Sequence, residues 1–106
     1  MNAGAMRERA TLQAPVRTPD GAGGADVSWS DVATVWASVM VLSGRERPAG
    51  ERMEARRRLQ VLIRYRSDVT PDMRLMWQGR VLDIRTLCDI DGKRHMLLID
   101  CEEGGQ

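Results

Sequence analysis

Between Arg58 and Arg66 the chain reads RLQVLIRYR, which sets Leu59, Val61, Ile63 and Tyr65 on one side and Arg58, Gln60, Arg64 and Arg66 on the other, with Leu62 as an apolar exception. A period of two is the signature of a pleated strand, whose successive side chains point to opposite faces. The segment is therefore a half-buried strand, and such a strand needs neighbours that cover one face and leave the other in water.

Two glycine turns supply those neighbours. With Gln78-Gly79 as a two-residue turn, Leu75 faces Leu82 and Met73 faces Ile84. With Asp91-Gly92 as the next, Ile84 faces Ile99 and Leu82 faces Cys101. Both turns put Leu82 and Ile84 on one face, joined by Cys88, Leu97 and Ile99, which predicts a three-stranded meander. Its other face pairs Asp89 with Arg94, Asp83 with Asp100 and Leu87 with Met96, with Leu98 beside them. A lone small barrel does not show Leu87, Met96 and Leu98 to water, so they are expected in a second packed layer or a subunit interface.

Upstream, Arg9 to Gln13 reads as a first strand ending at Pro15, and the Pro- and Gly-rich run over residues 14–26 reads as a mobile hairpin arm or loop. Val27 to Val41 carries Trp29, Val35, Trp36, Val39 and Val41, with Asp31 and Ser38 as polar breaks, and reads as one long bent strand or two consecutive strands. Both tryptophans are expected as core or interface filler rather than as a stacking platform. No internal repeat or long helix stands out. The 106 residues, 42% of them hydrophobic, leave room for one domain over residues 1–106. The predicted fold class is all-β, a small antiparallel β-barrel or sandwich with a long charged loop insertion. A chain this short buries roughly 60 to 70% of its unfolded surface, so association adds useful stability.

Several function classes find no support. The longest apolar stretch, Val35 to Leu42, is broken by Ser38 and falls far short of the ~20 residues of a membrane helix. No apolar block follows Arg7 and Arg9 as a secretory signal requires, so a reducing cytoplasm and free thiols are expected. A metal site would have to use Cys88, His95 and Cys101, but a fourth ligand at recognisable spacing is missing. A disulfide is disfavoured, because six strand residues separate Cys88 from the partner of Cys101, about 20 Å at ~3.3 Å per residue. His95 has no flanking motif of a catalytic base, and Asp89, Asp91 and Asp100 are spaced as turn formers rather than as a calcium loop. The glycines between Asp20 and Asp26 lack the lysine and the helix of a phosphate-binding loop. No catalytic residue, metal or cofactor is assigned.

Fifteen of the sixteen basic residues are arginine, yet fifteen acidic residues bring the net charge to +1, which is not the balance of a strong nucleic-acid binder. The charge is concentrated in SGRERPAGERMEARRR, residues 43–58, where Arg45, Arg47, Arg52, Arg56, Arg57 and Arg58 stand against Glu46, Glu51 and Glu54, a local 6 − 3 = +3. The segment is long for a hairpin connection, and such loops in small domains tend to be functional or disordered. Gly50 to Arg58 also has the Glu54 to Arg58 spacing of a short helix. A solvated charged loop and a projecting element that meets phosphate or a partner are both open at this point.

From Met6 to Glu103 the sequence resembles the phage head-tail joining family, the head-closure or stopper proteins of tailed-phage connectors, also found in phage-derived gene transfer agent particles. The resemblance is carried by MRERATLQAP, WASV at Trp36 to Val39, SGRE at Ser43 to Glu46, IRYRSDVTPDMRL from Ile63 to Leu75, QGRVLDI ending at Ile84, and LLIDCEE. It implies a small β-barrel that assembles as a sixfold or twelvefold homo-oligomeric ring, with the portal and its adaptor on the head side, a tail terminator or tail tube protein on the tail side, and packaged double-stranded DNA in the channel. The particle would be assembled in the bacterial cytoplasm, with this protein at the head-tail junction. In that family the loop after the Trp-containing strand projects toward the channel as a plug, and here it maps to Ser43 to Arg58. Three Glu beside six Arg make it less uniformly basic than a pure DNA clamp, so gating is expected to rest on pairing between neighbouring loops.

Two functions of different class compete. The first is a structural connector without catalysis; the second is a small monomeric Arg-rich nucleic-acid-binding β-barrel, motivated by Arg58, Arg64 and Arg66 on one strand face. Single-strand binders stack bases on exposed aromatics, and Tyr65 falls on the opposite, apolar face. An enzymatic function has no motif behind it.

Overall fold

The computed structural model describes residues 6–43 and 57–103. They form six strands, β1 (Glu8–Pro19), β2 (Ala25–Ser43), β3 (Arg57–Arg64), β4 (Arg74–Trp77), β5 (Arg80–Asp89) and β6 (Met96–Glu103). The strands pair antiparallel in the order β1-β2-β3-β6-β5-β4, and β4 returns to β1, so the sheet closes on itself as a barrel. Closure removes the edges that a six-stranded open sheet would expose.

The alternation in β3 is realised as predicted: Leu59, Val61 and Ile63 are buried, and Tyr65 packs against the core just beyond the strand. The inner faces of the other strands add Ala10, Leu12, Ala37, Leu75, Trp77, Leu82, Ile84, Leu97, Ile99 and Cys101. Gln78 and Gly79 both have positive φ, 54° and 75°, and join Trp77 to Arg80 in a two-residue turn. That geometry matches the twist of the flanking strands, and Leu75 faces Leu82 as expected.

The second turn is longer than two residues. Asp89 accepts the Arg94 N–H at 3.1 and 3.2 Å, Asp91 accepts the Lys93 N–H at 2.9 Å, and Ile90 N–H reaches the Met96 carbonyl at 3.4 Å. These carboxylates satisfy backbone donors that a tight turn would leave to water, so β6 starts at Met96. Ile84 therefore faces Cys101 instead of Ile99, a shift of 101 − 99 = 2 residues that leaves the same side chains inside. A bulge between Ile84 and Thr86 then adds one residue. Leu87 faces Ile99 instead of Met96, a shift of 99 − 96 = 3, and an odd shift exchanges the faces. Leu87 turns toward the core and Cys88, expected inside, is exposed opposite Leu98.

β1 does not end at Pro15. Ala14–Pro19 stays in register with Ala25–Ser30 of β2, so the Pro- and Gly-rich run is a two-stranded ribbon with its turn over residues 20–24. Past Gln13, β1 has no β4 partner, and a proline can stand where no ladder donor is needed. β2 is one long strand, with a bulge where Gln13 faces Asp31 and Leu12 faces Ala33. No described residue belongs to a helix: Arg57 and Arg58 of the candidate helix lie in β3, and the rest of that segment lies outside the described residues.

Candidate assembly surfaces

Three surfaces stand out once the core is closed. The first is the ribbon that β1 and β2 extend beyond the barrel. At its tip Asp20 accepts the N–H groups of Ala22 and Gly24 through Oδ1 at 2.8 and 3.1 Å, and these hydrogen bonds hold its carboxyl below the ordinary value. Val16 and Val27 are exposed on it. At its root Arg74 donates to Gln13 at 2.8 Å, Gln13 donates to Asp31 at 2.7 Å, and the Arg74 guanidinium lies 4.2 Å from the ring centre of Trp29. This clamp joins β1, β2 and β4 at the point where the ribbon leaves the barrel.

The second surface is the outer face of β2, β3 and β6. Cross-strand pairing sets Ser38, Leu62, Leu98 and Cys88 in one row, flanked by Met40 on one side and Trp36 and Met96 on the other. Leu62 is fully buried although it lies on this outer side, and Leu98 and Met96 are half-buried. Trp36 and Met40 remain 54% and 49% exposed. Of the predicted interface trio, Met96 and Leu98 lie here, while Leu87 belongs to the barrel interior. Trp36 is not core filler; the core tryptophan is Trp77, whose Nε1–H donates to Glu8 at 3.0 Å. Strand period alone could have placed Trp36 outside, since it alternates with the inward Val35 and Ala37.

The third surface is the base of the segment 43–58. Ser43 pairs with Arg58, so the segment leaves and re-enters the barrel between adjacent strands. Arg57 and Arg80 both contact Glu103 at 3.5 Å, and Arg85 donates to Glu102 at 2.6 Å. The Glu102 carboxylate holds the Arg85 guanidinium above its ordinary pKa. Arg57 and Arg58 are thus strand residues at the base, whereas Arg45, Arg47, Arg52 and Arg56 lie outside the described residues.

The three candidate metal ligands are separated. Cys88 is exposed on the outer face, Cys101 is buried inside, and both are free thiols. His95 sits in the β5–β6 turn with Nδ1 3.2 Å from Asp91. Burial, with the nearby Asp100 and Asp83, pushes the Cys101 thiol up to about 12. No group of three or more His, Cys, Asp or Glu converges among the described residues.

Residues 1–104 match the family of phage head completion proteins. Among curated proteins no match is found. A chain in the virion of a native gene transfer agent particle is 27% identical with a TM-score of 0.71, over 94% of this chain and 96% of that one. Protein SF1141 from Shigella flexneri 2a, solved in solution, is 34% identical with a TM-score of 0.72, over 98% of this chain and 97% of that one. The family match spans nearly the whole chain, and both structures are similar to it almost from end to end, so the chain belongs to the phage head completion protein family.

Proposed function

We propose that this protein is a structural connector of a tailed phage or gene transfer agent particle. It forms a sixfold or twelvefold ring at the head-tail junction, below the portal and its adaptor and above the tail terminator or tube, and closes the channel over packaged DNA without catalysing a reaction. The observation that carries this is end-to-end similarity to a chain of an assembled gene transfer agent virion. Exposed Trp36 and Met40 beside half-buried Met96 and Leu98 are what a subunit interface would use. Segment 43–58, held at its base by Arg57 and Arg58 in β3 and by the Arg57–Glu103 pair, is the channel loop, and the ring multiplies Arg45, Arg47, Arg52 and Arg56 into a positive girdle that holds phosphate without reading sequence.

The rival, a monomeric nucleic-acid-binding barrel, would stack successive bases on several exposed aromatics beside the arginines of β3, and that face offers a single one, Trp36 beside Arg64. Tyr65 packs against the core, and Arg66 is engaged by Asp68 at 2.9 and 3.0 Å. Electron microscopy of particles carrying a label at the C-terminus of this chain tests the connector: a single label site at the head-tail junction is expected, and label spread over the shell or absent from the particle overturns it.

A further inference from the structure

Where β3 parts from β2, a groove of about 280 Å3 opens between Met6, Thr34, Val35, Trp36, Tyr65 and the guanidinium-bearing Arg64 and Arg66. An adjoining pocket that shares Met6, Trp36 and Arg64 adds Arg7, and Arg9 lies 5.0 Å from the Trp36 ring centre. Every ionisable lining group except the Tyr65 phenol is an arginine; Arg66 is paired with Asp68, so the positive charge is carried by Arg7 and Arg64, and the exposed indole adds an apolar floor. Such a groove fits an acidic segment that also carries a small apolar side chain.

The chain itself holds such a segment. The ribbon tip carries Asp20 and Asp26 against one basic residue, Arg17 opposite Val27, and exposes Val27 to 50%. The turn uses only Oδ1 of Asp20. A tip cannot reach its own groove: Asp26 and Trp36 stand on the same strand, 36 − 26 = 10 residues apart, about 30 Å at ~3.3 Å per residue. Two complementary surfaces held apart on one rigid element cannot meet within a subunit, but they can meet between copies.

Building on the ring reading above, we propose that the ribbon tip of one subunit, through Asp20, Asp26 and Val27, docks into the Arg7, Arg64 and Trp36 groove of the next. The contact is heterologous, since tip and groove are different surfaces, and repeated head-to-tail contacts of this kind close into a ring when the rotation closes. It also covers Trp36 and Val27.

The test uses full-length chains in assembled particles. In a Cys88→Ser background, Asp26→Cys and Arg64→Cys are combined and treated with a short bis-maleimide, and the denatured protein is separated by size. A ladder of covalent dimers, trimers and higher multiples is expected. In parallel, Asp26→Arg and Arg64→Glu each lower incorporation into particles about tenfold, and the two reversals combined restore it. Thermal melts of the free variants establish that they fold. Parental protein at the junction with no ladder, and with both single reversals incorporated normally, overturns this contact and leaves the ring standing. Parental protein absent from particles overturns the ring reading and the contact together. Single-stranded oligonucleotide binding that is lost in Arg64→Glu, with no ladder, assigns the groove to nucleic acid and also overturns the contact.

Discussion

The two thiols of this chain are chemically unlike because the β5 bulge puts one outside and β6 keeps the other inside. A buried thiolate loses its hydration, so Cys101 stays protonated to about 12 while Cys88 meets solvent. A thiol reagent is therefore expected to titrate one cysteine in the folded protein and both after unfolding; rapid reaction of both without unfolding is the contrary result. The raised value also sets the direction of the alkaline response. The folded pKa lies above the 9.0 of a free thiol, so the contribution is complete below pH 9 and is lost as pH rises toward 12. The loss is at most about 1.4 kcal/mol per pH unit. Denaturant melts between pH 9 and 12 check it, with Cys101→Ala as the reference in which this slope disappears. At the centre of the meander, Leu82 and Ile99 have no exposed area, and truncation of either to Ala is expected to cost about 2 to 5 kcal/mol in the same melts.

At the scale of the element, β5 and β6 separate what an alternation dictates from what a turn dictates. Core membership of Leu82, Ile84, Leu97 and Ile99 was legible because a slip of two residues keeps every face. Assignment of Leu87 and Cys88 was not, because the carboxylates of Asp89 and Asp91 stretch the turn and the bulge at Arg85 makes the local slip odd. No pattern of apolar residues announces a bulge whose extra residue is a solvated arginine. The expected consequence is that Leu87→Ala costs about 1 to 3 kcal/mol while Cys88→Ser stays within about 0.5 kcal/mol of the parent. Equal or reversed effects in urea unfolding would return the two residues to the tight-turn register. The ribbon has a similar history: Pro15 reads as a strand end, yet a ribbon without a β4 neighbour tolerates it.

For the whole molecule, closure of the sheet and the segment 43–58 are independent. Ser43, Arg57 and Arg58 are tied into β2 and β3, so changes between them should leave the barrel intact. Replacing Arg45, Arg47 and Arg52 by Ser is expected to leave the melting temperature nearly unchanged and to lower the fraction of particles that retain DNA, as measured by nuclease protection. Normal retention and normal delivery by the triple variant would reduce the segment to a solvated surface loop.

The sequence by itself determined the all-β class, the inward set of β3, the Gln78-Gly79 turn and the family, because these rest on period-two patterning, on a local turn and on the order of short motifs along the chain. Tertiary structure alone decided that β4 returns to β1, that Leu62 is buried on the outer side, and that Trp36 has Arg64 as its neighbour. Each of those depends on which strands are neighbours across the barrel, a relation between residues far apart in the chain that alternation within one strand does not encode.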